Sequence, residues 1–320
     1  MKMSRAKCFR IFASSALFAF VLGGMGACSA TGDAESVDST EESIRPSGGG
    51  SSGDDDSDSG NSEIIEKDSL DADSVVDLNF DASLMDYAEY LMFERIPATA
   101  IKYGTIKYTA NTFYMNLTEV TQGLYKAVMD TIPKQDKQSD ALPVVNVSWY
   151  DAVLFCNALS KMAGLDTAYV YKSVGDKNYL KDLSIDYSVS SIRLPTETEW
   201  EIAAHGGVTS RFYWGDDAAS EYAYYGQSKG PANVASYKPN AYELYDMAGN
   251  VAEWVNDWYG SYSTVDQENP TGPETGTSKC VRGGGWADKV ADIAPRERDK
   301  KDPLYHSVTL GFRIVYSAGF

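Results

Sequence analysis

The segment Leu244-Tyr245-Asp246-Met247-Ala248-Gly249-Asn250-Val251-Ala252-Glu253-Trp254 decides the fold of this 320-residue chain. Its Gly249-Asn250 pair permits a tight turn, because both residue types tolerate left-handed backbone. Further segments of the same distinctive kind lie on both sides of it. They are FYMNLTEVT (113–121), PVVNVSWYDA (143–152), RLPTETEWE (193–201), RGGGW (282–286) and GFR (311–313).

In this order, the six segments resemble the formylglycine-generating enzyme, or sulfatase-modifying factor, family over about residues 90 to 316. Any single segment is a weak signal, whereas six in the family's order are highly specific. The resemblance implies an α+β fold related to the C-type lectin fold, with much irregular loop structure for its size. We expect this domain to occupy residues 84–320.

Three Ser or Thr residues precede apolar residues at helical spacing and predict helix N-termini: Thr118, Ser148 and Thr196. Ser148 and Thr196 have Asp151 and Glu199 three positions later, the pattern of a capping box. Each of these two helices is followed by glycine, which favours helix termination.

The predicted strands are shorter than the predicted helices. They cover Phe93–Ile96, Val281–Arg282 with its flanks, and a continuous strand Gly311–Tyr316 in which Phe312, Ile314 and Tyr316 alternate with the other residues.

The N-terminus has the pattern of a secretory signal. Basic residues between Lys2 and Arg10 precede the apolar run Ile11–Leu22, which at 12 residues is shorter than the ~20 needed to cross a bilayer. Met25-Gly26-Ala27-Cys28 then resembles a bacterial lipobox. We predict a signal peptide over residues 1–27 and a membrane anchor on lipidated Cys28; the alternative is an ordinary cleaved signal with an incidental cysteine. The anchored protein would be a lipoprotein of the cell envelope, at the outer membrane or cell surface of a Gram-negative-type bacterium.

Residues 28–83 read as an acidic, disordered linker rich in Ser, Gly and Asp. Between Thr31 and Asp73 there are 14 acidic residues against Arg45 and Lys67, too polar a composition to form a core. The whole chain has a formal net charge of −18. Since no basic stripe is available for phosphates, nucleic acid is excluded as a partner.

The resemblance also implies a structural calcium site. The family's ligands correspond to the side chains of Asp246 and Glu253 and to the backbone carbonyls of Gly249 and Val251. Such hard oxygen donors suit Ca²⁺. The alternative interpretation is that Asp246 and Asn250 cap a turn while Glu253 faces solvent.

The resemblance does not extend to the family's catalytic residues. The enzymes bind Cu(I) through two cysteines just after the glycine motif, because soft monovalent copper needs thiolates. The corresponding positions here are Asp288 and Ile293, and Gly285 replaces the family's serine. No cysteine follows Cys280 in the chain. We therefore expect no copper and no formylglycine-generating activity; the alternative is an oxidoreductase of this type with altered active-site residues.

Two cysteines remain in the predicted domain. Cys156 falls on the apolar face of the second predicted helix, and Cys280 precedes the glycine motif. Either they form a disulfide, as the oxidising extracytoplasmic compartment permits, or they are two separate buried thiols.

A domain of this kind without catalytic residues predicts ligand binding or scaffolding, with a glycan or an envelope protein as partner. Aromatic side chains in loops suit both kinds of contact. The candidates are Trp214, Tyr224, Tyr225, Trp258, Tyr259 and Tyr262. Trp254 and Trp286 belong to the family segments, and we interpret them as core residues.

Overall fold

The structure, a computed structural model, describes residues 77–216 and 220–320 together with the two-residue strands Phe9–Arg10 and Ile65–Glu66. Cys28, nearly all of the predicted signal peptide and most of the predicted linker lie outside the described residues. Within those residues, no helix has the length and apolarity needed to cross a membrane.

Three four-stranded sheets dominate the described part of the chain. Their strand orders are β12-β18-β7-β4, β16-β15-β13-β17 and β14-β6-β5-β2, and three two-stranded pairs accompany them. In chain order the strands are β1 Phe9–Arg10, β2 Ile65–Glu66, β3 Asp77–Leu78, β4 Phe93–Ile96, β5 Thr99–Tyr103, β6 Ile106–Ala110, β7 Phe113–Asn116, β8 Tyr169–Val170, β9 Ser173–Val174, β10 Leu180–Lys181, β11 Ser184–Ile185, β12 Ser191–Arg193, β13 Ala252–Trp258, β14 Gln267–Glu268, β15 Lys279–Arg282, β16 Asp299–Lys301, β17 Leu310–Gly311 and β18 Val315–Ser317.

The α-helices are α1 Gln122–Met129, α2 Trp149–Met162 and α3 Glu197–His205, and 3-10 helices span Ala82–Tyr90 and Asp176–Asn178. With its few helices, short strands and long connections, the domain has the α+β class and the irregularity that we expected.

The capping boxes of α2 and α3 are confirmed. The side chains of Ser148 and Thr196 accept from the backbone N–H of Asp151 and Glu199, whose carboxylates accept in return from the cap residues' N–H. The N-termini of both helices therefore follow from local sequence alone.

The predicted cap of α1 is wrong, because the helix begins one turn later, with Thr121 as its cap. The residues just before it are extended and pair through their backbone with two distant segments. The N–H of Val120 donates to Phe312 O at 2.9 Å, and the Val144 N–H donates to Val120 O at 2.9 Å. Since both backbone groups of Val120 are engaged by distant segments, a helix cannot start at Thr118.

Strands Phe93–Ile96 and Val281–Arg282 are confirmed, the latter as part of β15. The continuous strand Gly311–Tyr316 is wrong. Its ends belong to two different sheets: β17 runs parallel to β13, whereas β18 is antiparallel to β7. The residues between the two strands cross from one sheet to the other, and every side chain from Leu310 to Tyr316 is buried.

The main core lies between α2 and the sheet that contains β18. Phe155 of α2 stacks on Tyr125 at 5.3 Å between ring centroids and meets Phe312 edge to face at the same centroid distance. Leu78 and Phe80, upstream of residue 84, belong to the same core. Cys156 and Cys280 are both buried and free, so of the two alternatives the structure has two separate thiols.

Candidate functional site

The turn that opens the candidate calcium site has left-handed backbone at three positions. The φ angles are 58° at Asp246, 85° at Gly249 and 57° at Asn250. A Cβ atom at Gly249 would lie 2.5 Å from Tyr224 O, so only glycine fits where these two segments cross. The backbone N–H of Asn250 donates to Tyr224 O at 2.8 Å, which holds the turn against the segment that contains Tyr224.

Glu253 is buried, so the interpretation that it faces solvent is wrong. Arg313 Nε donates to Oε2 at 2.7 Å, and Arg313 Nη2 donates to Oε1 at 2.7 Å. Trp200 Nε1 donates to Oε2 at 2.7 Å. The carboxylate of Glu253 therefore joins α3 to the segment between β17 and β18.

Three buried carboxylates, Glu119, Asp246 and Glu253, lie around a single cation, Arg313. Burial raises the pKa of Asp246 to about 6. Burial, and then the neighbouring Asp246 carboxylate, raise the pKa of Glu119 well above its ordinary value. Oε2 of Glu119 is buried without a hydrogen-bond partner. Three buried carboxyl groups beside one guanidinium would ionise more readily with a cation bound among them, which suits a cation site.

The calcium ligands implied by the resemblance are two carboxylates and two backbone carbonyls. Asp246, Gly249, Val251 and Glu253 do share this one turn and the start of β13. Over residues 77–216 and 220–320, no three His, Cys, Asp or Glu side chains are grouped as a metal site. A metal at this turn would therefore depend on backbone oxygens as well as on side chains.

The positions that correspond to the copper cysteines have unrelated environments. Ile293 is fully buried and packs with Phe212 and Ala248. Asp288 is half-buried, and its Oδ2 accepts from the Gly285 N–H at 2.8 Å, which closes a turn. A Cβ atom at Gly285 would lie 3.1 Å from Thr309 O, so a serine there would crowd the chain.

A buried ionic network lies at the start of α3. Glu197 accepts from Arg282 Nη1 at 2.8 Å and from Arg298 through both Nε at 2.6 Å and Nη2 at 2.7 Å. Arg282 Nη2 also donates to Glu201 Oε2 at 2.5 Å. Burial alone would raise the pKa of Glu197, but the two arginines hold it below its ordinary value.

An open cleft of about 450 Å³ lies against this network. Glu197, Asp257 and Arg298 line its inner wall, and residues 260–263 and 267–273 form its outer wall. Oδ2 of Asp257 accepts from the Glu197 N–H at 2.8 Å. Burial, with Glu197 nearby, raises the pKa of Asp257 to about 8, so this carboxyl is largely protonated at neutral pH.

Lys279 lies behind the cleft between two indole rings. Its Nζ is 4.0 Å from the ring centroid of Trp149 and 3.8 Å from that of Trp258, and it donates to Asn256 O at 2.8 Å. Burial lowers the pKa of this lysine to about 7. The cation–π contacts and the hydrogen bond compensate for part of the lost hydration.

A second cavity of about 280 Å³ shares Arg298 with the cleft. It contains Asp288, the predicted degenerate position, and three more carboxylates, those of Asp292, Glu297 and Asp299. Arg282 and Arg298 are the cations of its wall. Of the three degenerate positions, Asp288 lines this acidic cavity, whereas Gly285 and Ile293 do not.

The six predicted aromatic binding residues fall into two groups. Trp258 and Tyr262 line the cleft, with Tyr259 beside them under Arg298 at 4.6 Å from guanidinium carbon to ring centroid. One face of Tyr262 stacks on Tyr103 at 4.7 Å, and the guanidinium carbon of Arg298 lies 4.2 Å from the Tyr262 ring centroid.

Trp214, Tyr224 and Tyr225 lie elsewhere, around the turn and the Ile293 cluster. Trp214 is stacked between Phe212 at 4.6 Å and Tyr222 at 5.6 Å. Its ring is thus engaged by neighbours, as is that of Tyr262.

Of the two tryptophans interpreted as core, Trp254 is fully buried, as expected. The interpretation of Trp286 as a core residue is wrong, because Trp286 is half-buried and lines a third cavity of about 310 Å³. Its Nε1 donates to Val308 O at 3.2 Å, and both residues line this cavity.

Sequence reasoning missed the network residues Glu197, Arg282 and Glu201, although all three stand in quoted family segments. The available signal was the occurrence of charged residues of both signs in segments otherwise typical of a core. Asp257, Lys279 and Arg298 carry no comparable signal, because their partners are distant in the chain.

Comparison with known proteins supports the family and the fold. Residues 96–318 match the sulfatase-modifying factor enzyme 1-like domain. The serine/threonine-protein kinase pkn1 of Chlamydia pneumoniae is 43% identical over 128 residues, covering 38% of this chain and 20% of the kinase. The formylglycine-generating enzyme of Streptomyces coelicolor is 31% identical over 197 residues, covering 55% of this chain and 53% of the enzyme.

The chain thus spans about a fifth of the length of the kinase and about half of the length of the formylglycine-generating enzyme. Among solved structures, Treponema denticola variable protein 1 has a TM-score of 0.64 and 30% identity, covering 70% of this chain and 94% of that protein. The family match covers more than half of the chain. The chain therefore belongs to the family of sulfatase-modifying factor enzyme 1-like domains and has the fold of the formylglycine-generating enzymes.

Proposed function

We propose that this protein is a non-catalytic ligand-binding member of the family, held at the cell envelope by a lipid on Cys28. The observation that carries the proposal is the burial of Ile293 in an apolar cluster at a position that would need a copper thiolate. An aliphatic core side chain cannot bind Cu(I). A protein of this kind retains the scaffold and its cavities without the family's oxidation chemistry.

The cleft beside Glu197 is the proposed binding site. Its polar walls carry a carboxyl at Asp257, a guanidinium at Arg298, and hydroxyl and amide groups at Ser261, Thr271 and Asn269. Such closely spaced donors and acceptors suit a ligand rich in hydroxyl groups, and so favour a glycan over a protein surface. Since neighbouring groups already cover the ring of Tyr262, recognition would depend on hydrogen bonds more than on ring stacking.

A calcium ion at the turn is the second part of the proposal. Asp246, Glu253 and the carbonyls of Gly249 and Val251 would hold it, with Glu119 beside Asp246. The ion would neutralise buried carboxylates that Arg313 alone does not balance. Its role would be structural, because it would fix the turn on which β13 and the cleft wall depend.

Glycan retention by the purified protein tests the binding proposal. We expect wild type to bind envelope polysaccharides, and Asn269→Ala or Thr271→Ala to weaken binding at least several-fold by removing cleft partners. The control, Asp166→Ala, truncates an exposed polar side chain outside the cleft lining and should bind normally. Failure to bind any polysaccharide or envelope-protein fraction would reject a ligand-binding role.

The alternative is an oxidoreductase with altered ligands. Incubation with Cu(I), oxygen and a Cys-x-Pro-x-Arg peptide distinguishes the two functions. We expect neither oxygen uptake nor the mass change that formylglycine produces. Either signal, if Asp288→Asn abolished it, would replace binding with catalysis as the function of this chain.

A further inference from the structure

The third cavity differs from the other two in charge. Its rim carries Lys137 and Lys229 against one carboxylate, Asp136. Carboxylates outnumber cations in the cleft and in the second cavity. In a chain with a net charge of −18, a cavity with a positive rim selects an anionic group.

Both lysines are exposed, and neither ammonium is in an ion pair with the residues that the structure describes. Within that part of the chain, no carboxylate neutralises the charge of either lysine. Because both lysines line one cavity, a carboxylate that enters it can interact with the two ammonium groups together.

The indole of Trp286 forms a fixed wall of this cavity. Its backbone N–H donates to Asn250 O at 2.7 Å, its carbonyl accepts from the Gln227 N–H at 2.7 Å, and its Nε1 donates to Val308 O. A ring fixed in this way loses little further freedom when a ligand packs on it.

Trp286 also differs from most other tryptophans of the domain. Over residues 77–216 and 220–320, no aromatic ring or cation stacks on it, whereas Trp149, Trp200, Trp214 and Trp258 each have such a partner. Val145, Pro231 and Val308 complete an apolar floor beside it. An indole beside an apolar floor suits the CH-rich face of a sugar ring.

We infer that this cavity binds a pyranose that carries a carboxylate, such as a uronic acid residue of a polysaccharide. The sugar's apolar face packs on Trp286, and its carboxylate accepts charge-assisted hydrogen bonds from Lys137 and Lys229. The volume of about 310 Å³ is at the lower end for ligand sites and suits one sugar residue. The site shares no lining residue with the cleft of the proposed function and does not depend on it.

Calorimetric titration of the full chain with glucuronate, its uncharged methyl ester and glucose tests this inference. We expect glucuronate to bind about tenfold more tightly than the ester, by analogy with other charge-assisted contacts, and added salt to reduce the difference. Equal affinity for the acid and the ester, or no binding of glucuronate at millimolar concentration, would overturn the assignment.

Variants locate the site. Lys137→Gln/Lys229→Gln should remove the preference for the acid, and the control Lys172→Gln/Lys181→Gln, with the same charge change on an exposed hairpin, should retain it. Trp286→Phe should weaken binding of both acid and ester while melting stays cooperative. If Asn269→Ala instead abolished glucuronate binding and Trp286→Phe left it unchanged, the ligand would belong to the cleft and the Trp286 assignment would be wrong.

Discussion

Glu253 and Arg313 form a two-point ion pair that is closed from solvent, with Nη2–Oε1 and Nε–Oε2 distances of 2.7 Å each. Arg313 Nη2 also donates to Tyr245 O at 2.9 Å, so the pair connects the turn, β13 and the C-terminal crossing segment. The pair fixes how the two sheets meet, and its geometry is set by residues far apart in the chain.

Removal of one partner should be costly. We expect Arg313→Ala to lower the free energy of unfolding by about 3–5 kcal/mol, because Glu253 would remain buried without its cation. Urea denaturation measures the change. The matched control is Lys238→Ala, which breaks the exposed pair with Glu221 and should leave stability near wild type. Similar losses in both variants would contradict the role of burial.

Calcium should stabilise the protein through Asp246. At a concentration one hundred times its Kd, the ion would add about 2.7 kcal/mol to the free energy of unfolding and raise the melting temperature. Scanning calorimetry with calcium and with a chelator measures the shift. Asp246→Asn should reduce it strongly, whereas the exposed Asp166→Asn should not. A melting temperature that changes with neither calcium nor chelator would contradict the calcium site.

Asp257 should make stability depend on pH. Its pKa is about 8 in the folded protein and 3.8 when unperturbed, so the folded state holds this proton more tightly. Its contribution is therefore complete below about pH 4 and is lost as pH rises toward 8.

We expect Asp257→Asn to flatten the decline in unfolding free energy between pH 5 and 7, measured by denaturation at several pH values. Lys279, with a pKa near 7, contributes mainly above this window. Asp182→Asn on an exposed turn is the control. An unchanged slope in Asp257→Asn would show that this carboxyl ionises normally.

The positions that replace the catalytic cysteines should differ in their effect on stability. Ile293→Ala removes buried methyl groups and should cost about 2–5 kcal/mol. Asp288→Ala removes one turn-closing hydrogen bond from a half-buried residue and should cost about 1 kcal/mol. Thermal unfolding of both variants measures the two losses of stability. Equal losses would mean that residue 293 is not a core position.

Thr121 should matter as a helix cap. Thr121→Ala should cost about 1 kcal/mol by leaving the Leu124 N–H without its acceptor, while Thr121→Ser should retain most of the stability. Chemical denaturation compares the pair. A serine variant as unstable as the alanine variant would point to lost packing of the threonine methyl group instead.

The sequence was informative where structure depends on near neighbours. Ser148 with Asp151, and Thr196 with Glu199, mark their helices because a capping box needs only four consecutive residues. The family segments likewise predicted the fold and the turn around Gly249. The family's calcium ligands remain a prediction, because the turn is compatible with them and does not show the ion.

The errors arose from contacts between distant segments. Thr118 looks like a cap, but the backbone of Val120 is held by Phe312 and Val144. Arg313 looks like an outward residue of one strand, but its partner Glu253 lies 60 positions earlier. Trp286 looks like a core residue of a motif, but it is half-buried and borders a cavity with Val308 and Val145, which are distant in the chain. Periodicity and local spacing carry no information on such pairings.

The place of β18 has a consequence for the order in which the domain can be completed. Val315–Ser317 come later in sequence than the other three strands of their sheet, yet they lie between β12 and β7. During synthesis the sheet therefore cannot be completed until residues 315–317 have emerged from the ribosome. Until then β7 and β12 have no neighbour between them, so deletion of residues 315–317 would remove an interior strand rather than trim an edge.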